Sequence, residues 1–300
     1  MKYCGSRFLA LMILLAFVGS ASAGVLVDSD WLKKNLKNPD IVIIDMSDYV
    51  QYRRYHIPGA LHLPYGMINR RTKKGVSLRV SDQQLFKVLG KFGITPNHHV
   101  VIYDNLAGFN AGRLFWELER IGHKKVSVLN GGLVKWVLSG YPLDNRELLV
   151  RTKEVYIPAK NAVHRVNEID TKSVGKLATS PSNSGTILLD VRTREEYVGY
   201  KKFPRTGHIP GARWWPWTDS FAMDKGFVFK SVPELIDSIK KVGVSKKTDP
   251  IVLYCRSGHR ASQSYLTLRS LGYSNVRLYD GSILEYSKTQ SMVFRKGLQP

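Results

Sequence analysis

Two halves of this chain repeat one another motif by motif, and such a repeat restricts the architecture more tightly than any single residue pattern. Ile43-Ile44-Asp45, His56-Ile57-Pro58-Gly59-Ala60, Val100-Val101-Ile102-Tyr103-Asp104 and Val126-Ser127-Val128-Leu129-Asn130-Gly131-Gly132 come first. Leu188-Leu189-Asp190, His208-Ile209-Pro210-Gly211-Ala212, Ile251-Val252-Leu253-Tyr254-Cys255 and Val276-Arg277-Leu278-Tyr279-Asp280-Gly281 answer them in the same order. Two copies of one domain are therefore expected, and 300 residues that are 43% hydrophobic can fill two cores. Each half alternates short β-branched runs with stretches of helical spacing. That is the pattern of an α/β domain whose parallel sheet is flanked by helices on both faces. Residues 41–45, 100–103 and 126–129 read as strands. Ala111 to Ile121 and Ala261 to Leu271 read as helices, and each stops before a glycine, Gly122 or Gly272, that can take a left-handed cap. The expected division is 24–145, a linker over 146–166 that is polar and without period, and 167–300. The tail from Lys288 is equally featureless and is expected along the surface.

Residues 1–23 stand apart from this plan. Lys2 and Arg7 precede the apolar run Phe8 to Val18, which ends at Ala21-Ser22-Ala23. This is the layout of a cleaved signal peptide, and the run is shorter than the roughly 20 residues of a membrane span. The mature protein is expected to be exported, periplasmic or secreted, without stable membrane insertion. Cleavage removes Cys4 and leaves Cys255 as the sole cysteine, so no internal disulfide can form. Net charge is +21, with the cations scattered in pairs such as Lys33-Lys34 and Lys201-Lys202 rather than gathered into a tract. This favours small anionic substrates or an acidic envelope surface and does not by itself indicate nucleic acid as a partner. A monomer is expected.

The second half carries the chemistry. Cys255 ends a strand, and Arg256, Ser257, Gly258, His259 and Arg260 separate it from the helix expected from Ala261. Backbone N–H groups of a short loop entering a helix converge on one small cavity, where the helix dipole favours an anion. The same field, with Arg256, His259 and Arg260 making a cationic rim, favours a thiolate and hence a nucleophile. Gly258 allows the tight curl. Asp190 and Arg192 are spaced to brace the strand end, and His56 and His208, in matching turns of both halves, are expected to be scaffold. Trp214, Trp215 and Trp217 either wall the pocket or fill the core.

The segment Cys-Arg-Ser-Gly-His-Arg at 255–260, with His208 to Ala212 and Asp190-Val191-Arg192 upstream, resembles the active half of a rhodanese. The first half resembles the inactive partner domain of the two-domain thiosulfate and mercaptopyruvate sulfurtransferases, notably in Gly122-His123, Val126 to Gly132 and Trp136. The resemblance implies a cycle in which Cys255 takes a sulfane sulfur from a small anionic donor and passes it, as a persulfide, to cyanide or a thiol. It implies no metal and no organic cofactor, and loop residues 256–260 as the substrate-binding set. Asp104, in the place of Cys255, implies a catalytically silent first domain.

Some positions depart from the family. Two-domain thiosulfate enzymes usually have lysine where this chain has Ser257 and arginine where it has Glu196, and mercaptopyruvate enzymes generally have glycine at the place of Arg256. Thiosulfate is the leading donor because Arg256 and Arg260 both suit a small dianion. A cysteine phosphatase or arsenate reductase is the rival enzyme, but it needs arginine six positions after the cysteine, where Ala261 stands. A persulfide carrier in the cell envelope would use the same loop without turnover.

Overall fold

A computed structural model describes residues 24–148, 154–160, 162, 166–179 and 185–300, so the leader expected over 1–23 lies outside the described residues. Both halves build the expected α/β layers. In the first, five parallel strands run in the order Leu26–Val27, Val126–Leu129, His99–Tyr103, Ile41–Asp45 and Leu61–His62. In the second, four run in the order Val276–Leu278, Ile251–Tyr254, Ile187–Asp190 and Arg213–Trp214. Glu168 adds a parallel bridge to Leu278, where Leu26 pairs with Val128 in the sister sheet. Even the register repeats: Asp45 pairs with Tyr103 and Asp190 with Tyr254. Asp104 and Cys255 thus each follow the carboxyl end of a central strand, the position at which open parallel sheets bind ligands.

Period-two alternation explains how the sheets are stacked. Val100 and Ile102 of one central strand, and Ile251 and Leu253 of the other, belong to one apolar cluster that joins the two domains. Val101 and Tyr103 instead face an outer cluster of the first domain, and Val252 and Tyr254 an outer cluster of the second. All of these side chains are fully buried, each stabilising the fold by roughly 1.5–3 kcal/mol.

In the shared layer the helix Ala111–Arg120 lies against the helix His259–Ser270. They approach closely at Gly112, where a Cβ would stand 2.9 Å from the Ser262 carbonyl oxygen. Glu119 ties them together by accepting from the Tyr265 hydroxyl at 2.6 Å and from Arg269 Nε at 3.0 Å. Because each helix is entered from a strand-end loop, this packing sets the Asp104 loop of the first domain beside the Cys255 loop of the second.

The helix of the second domain starts at His259, two residues earlier than expected from sequence. Gly258 takes a left-handed φ of 78° and turns the chain directly into it. The linker stretch, largely exposed where it is described, is anchored at one residue. Tyr156 is buried, its amide donates to the Phe86 carbonyl, and its hydroxyl lies 3.0 Å from His123 Nδ1. The tail is anchored as well, through reciprocal backbone bonds between His208 and Arg295 that match those between His56 and Asp144.

Candidate active site

Cys255 ends its strand on the floor of the loop 256–260. Among the described residues, the N–H groups of Arg256, Ser257, His259, Arg260 and Ala261 find no acceptor in the protein. The amide of Gly258 is already taken: it and the Cys255 amide both donate to Ser282 Oγ, at 3.0 and 3.1 Å, and Ser282 in turn donates to the Tyr279 carbonyl. Donors left open in a turn that enters a helix form an anion-binding nest. Cys255 itself is a free cysteine only 1% exposed. The structure buries it because the first domain packs over the loop.

Two of the three expected rim cations are spent or absent. Arg260 is held in a two-point ion pair by Glu196, Nη1 to Oε2 at 2.6 Å and Nη2 to Oε1 at 2.9 Å. Burial works to raise the Glu196 carboxyl, but Arg260 outweighs it and keeps the group below its ordinary range. His259 is not a cation either. Its ring is stacked on Tyr65 at 4.1 Å and lies 3.8 Å from Phe109, both first-domain residues, and Nε2 is 2.7 Å from Asn110 Oδ1. Burial, with Arg113 and Arg260 beside it, holds the imidazole down at about 3, so it is neutral at physiological pH. Arg256 is exposed and makes no ion pair among the described residues. Ser257 is half-buried beside it. The cationic rim expected from three residues is thus reduced to Arg256.

The loop rests on a buried ion pair between the domains. Arg113, fully buried, donates from Nη1 to Asp280 Oδ1 at 2.5 Å, and Asp280 Oδ2 accepts from the Arg79 amide at 2.6 Å. Burial pulls against the charge on Arg113, yet Asp280, Tyr65 and Glu117 together hold its pKa above the ordinary value. Gly258 lies directly against this pair: a Cβ there would meet the Asp280 carbonyl oxygen at 2.6 Å and Oδ1 at 2.7 Å.

Other expected residues fall into place around the strand ends. Arg192 Nε is 2.9 Å from Asp190 Oδ1, and its Nη2 reaches the Gly207 carbonyl at 2.7 Å, so the pair braces the turn behind the site. His56 and His208 stack on Tyr52 and Tyr197 and bond to the backbone, which is scaffold work in both halves. The three tryptophans separate: Trp215 fills the core and Trp214 bonds the Arg192 carbonyl, while Trp217 lies 5.2 Å from Phe109 near the mouth.

The family model for the Rhodanese-like domain matches this chain twice, over residues 28–139 and 173–289. The chain belongs to the rhodanese family. It is 31% identical to the sulfur carrier protein TtuD of Thermus thermophilus, over 93% of this chain and 99% of that one. It is 29% identical to the thiosulfate sulfurtransferase of Azotobacter vinelandii, over 87% and 93%. Among solved structures, SseA from Escherichia coli, a 3-mercaptopyruvate sulfotransferase, superposes with a TM-score of 0.74 at 27% identity, covering 87% of this chain and 99% of that one.

The first domain of this rhodanese shows what the loop is built to hold. Asp104, fully buried, accepts from the amides of Leu106 and Gly108 at Oδ1 and of Asn110 and Ala111 at Oδ2, at 2.7–3.0 Å. Burial pushes its carboxyl above the ordinary range, and those amides offset part of the rise. A carboxylate on four converging N–H groups is a built-in anion in the cradle that the second domain leaves open. Tyr65, Phe109, Asn110, Arg113, Asp280 and Ser282 were not among the residues expected from sequence. Only Ser282 left a local signal. It adopts φ 50° where the sister half has Gly132 at φ 52°, so a side chain is tolerated at a glycine position because its hydroxyl satisfies two loop amides.

Neutral His259 has a consequence for acid stability. In the unfolded chain an imidazole takes up its proton near pH 6.5, whereas in the fold it does so only near about 3. Across that window the unfolded state binds more protons, so stability falls as pH falls, by something of the order of a few kcal/mol. Urea midpoints measured from pH 7 to pH 4 are expected to drop faster for the wild type than for His259→Phe, which keeps the aromatic stack. Parallel curves would show that His259 is not the group responsible.

Proposed function

We propose that this rhodanese is a sulfurtransferase that moves a sulfane sulfur from thiosulfate or a related donor to cyanide or a thiol through a persulfide on Cys255. The observation that carries the reading is the ring of unpartnered amides around Cys255, set beside the same loop in the first domain with a carboxylate filling it. In the loading step the Cys255 thiolate attacks the outer sulfur of thiosulfate, an S–S bond forms, the donor's S–S bond breaks, and sulfite leaves with the electron pair. In the second step cyanide attacks the terminal sulfur of the persulfide, thiocyanate departs, and the thiolate returns. Charge balances in both steps, and neither calls for a metal or organic cofactor. The open N–H groups of Arg256, Ser257, His259, Arg260 and Ala261 stabilise the persulfide anion as preorganised donors stabilise an oxyanion.

The test is direct. Purified protein mixed with thiosulfate is expected to gain one sulfur atom, located at Cys255 by peptide mass spectrometry, and to release it as thiocyanate when cyanide is added. Loading without catalytic release supports the second reading, a persulfide carrier. That reading is favoured by the name of the Thermus thermophilus relative. Hydrolysis of an aryl phosphate instead would point to a phosphatase.

Export to the periplasm or outside the cell is part of the same proposal. Its support is the charged, then apolar, then small-residue order of residues 1–23. Among the described residues no helix is long and apolar enough to cross a membrane.

A further inference from the structure

We infer that Glu196 is a specificity-determining residue that makes the site prefer sulfane donors bearing one negative charge over the thiosulfate dianion. The inference rests on the sulfurtransferase reading and deepens it. Glu196 stands on the short helix Arg194–Val198, where it closes a capping box with Thr193. From there its carboxylate takes both terminal nitrogens of Arg260, in the first turn of the helix that follows the Cys255 loop. The pair is partly open to solvent, with the Arg260 side chain 17% and the Glu196 side chain 21% exposed, so it borders the approach to the site rather than the core.

The pair acts on substrate choice in two ways. It occupies the planar fork with which an arginine would grip a second anion, since a bidentate carboxylate uses the same N–H groups. It also cancels the Arg260 charge. With His259 neutral, Arg256 is then the unpaired cation of the loop, and it is matched by a single negative charge on the donor. The five open amides still receive the sulfur being transferred, because they act on the persulfide and not on the leaving group. The second charge of a dianion finds no free cation to pair with, and forgoing an attraction between unit charges at ~5 Å in a partly buried site is enough to change a rate constant by about tenfold or more.

Methanethiosulfonate and thiosulfate make the comparison clean, because both present a sulfane sulfur on an oxidised sulfur and differ by one charge. Attack by Cys255 on the first releases methanesulfinate, on the second sulfite, and both leave the same persulfide. Single-turnover loading of Cys255, followed by mass spectrometry, is expected to be at least about tenfold faster per mole of methanethiosulfonate in the wild type. In Glu196→Gln, which preserves the cap, the preference is expected to shrink to about twofold or less through faster loading by thiosulfate. The ratio of the two donors within one preparation does not depend on how much of it is folded. Equal loading in the wild type, or a Glu196→Gln change that moves both donors alike, overturns the inference and leaves the sulfurtransferase reading intact. Failure of both donors to load Cys255 overturns both.

Discussion

Replacing Cys255 by serine is expected to abolish sulfur loading and thiocyanate release, leaving rates indistinguishable from reaction in buffer. A serine hydroxyl remains protonated, forms no persulfide, and has no other cysteine in the described chain to stand in for it. The fold is expected to survive, because the residue stays bonded through its backbone: its amide donates to Ser282 and its carbonyl accepts from Ile283. Thermal unfolding within a few degrees of the wild type, together with the absence of any sulfur adduct after incubation with donor, is the expected pair of results. Retained turnover in Cys255→Ser would transfer the chemistry to another group and end the persulfide reading.

The largest expected effect on stability comes from Arg113, a first-domain residue that never meets the donor. Arg113→Leu removes the cation that Asp280 faces at 2.5 Å and that stands 3.7 Å from Glu117, in surroundings closed to water. Burial already pushes Glu117 up to about 7, with Arg113 the leading group that pulls it back, so loss of the guanidinium leaves Asp280 without its ion pair and Glu117 with Arg120 alone. Breaking one side of a buried pair costs about 3–5 kcal/mol. A loss of that size in urea unfolding is expected. Because Gly258 leans on Asp280, slower loading of Cys255 by the fraction that remains folded is expected too. Asp280→Asn in the Arg113→Leu background is expected to recover part of the stability, since it removes the orphaned charge. A stability change below about 1 kcal/mol would mean that the pair is not what joins the domains at the loop.

Residues expected to line the site from sequence divide by the kind of interaction that sets their role. Gly258 and the amides of 256–261 depend on local backbone geometry, and a strand-loop-helix pattern with a glycine in it is enough to place them. Arg260 and His259 depend on what comes to meet them. The partner of Arg260 lies 64 residues earlier, and those of His259 lie in the other domain, so their charges could not be read from the loop alone. The expected cationic rim failed for this reason, and the donor argument that relied on Arg260 as a free grip changed with it. Trp214, Trp215 and Trp217 illustrate the same point, since neighbours in sequence end at an edge strand, in the core and near the mouth.

The sequence by itself determined the duplicated α/β plan and placed Cys255 and Asp104 at matching strand ends of its two halves. Both follow from side-chain periodicity and from short-range turn chemistry repeated in two places along one chain. The tertiary structure alone decided that the first domain covers the Cys255 loop, that an Arg113–Asp280 pair underlies it, and that Glu196 neutralises Arg260. Charge pairing and burial are set by distance in space, and the helices at 111–120 and 259–270 bring together groups that sequence order holds about 150 residues apart.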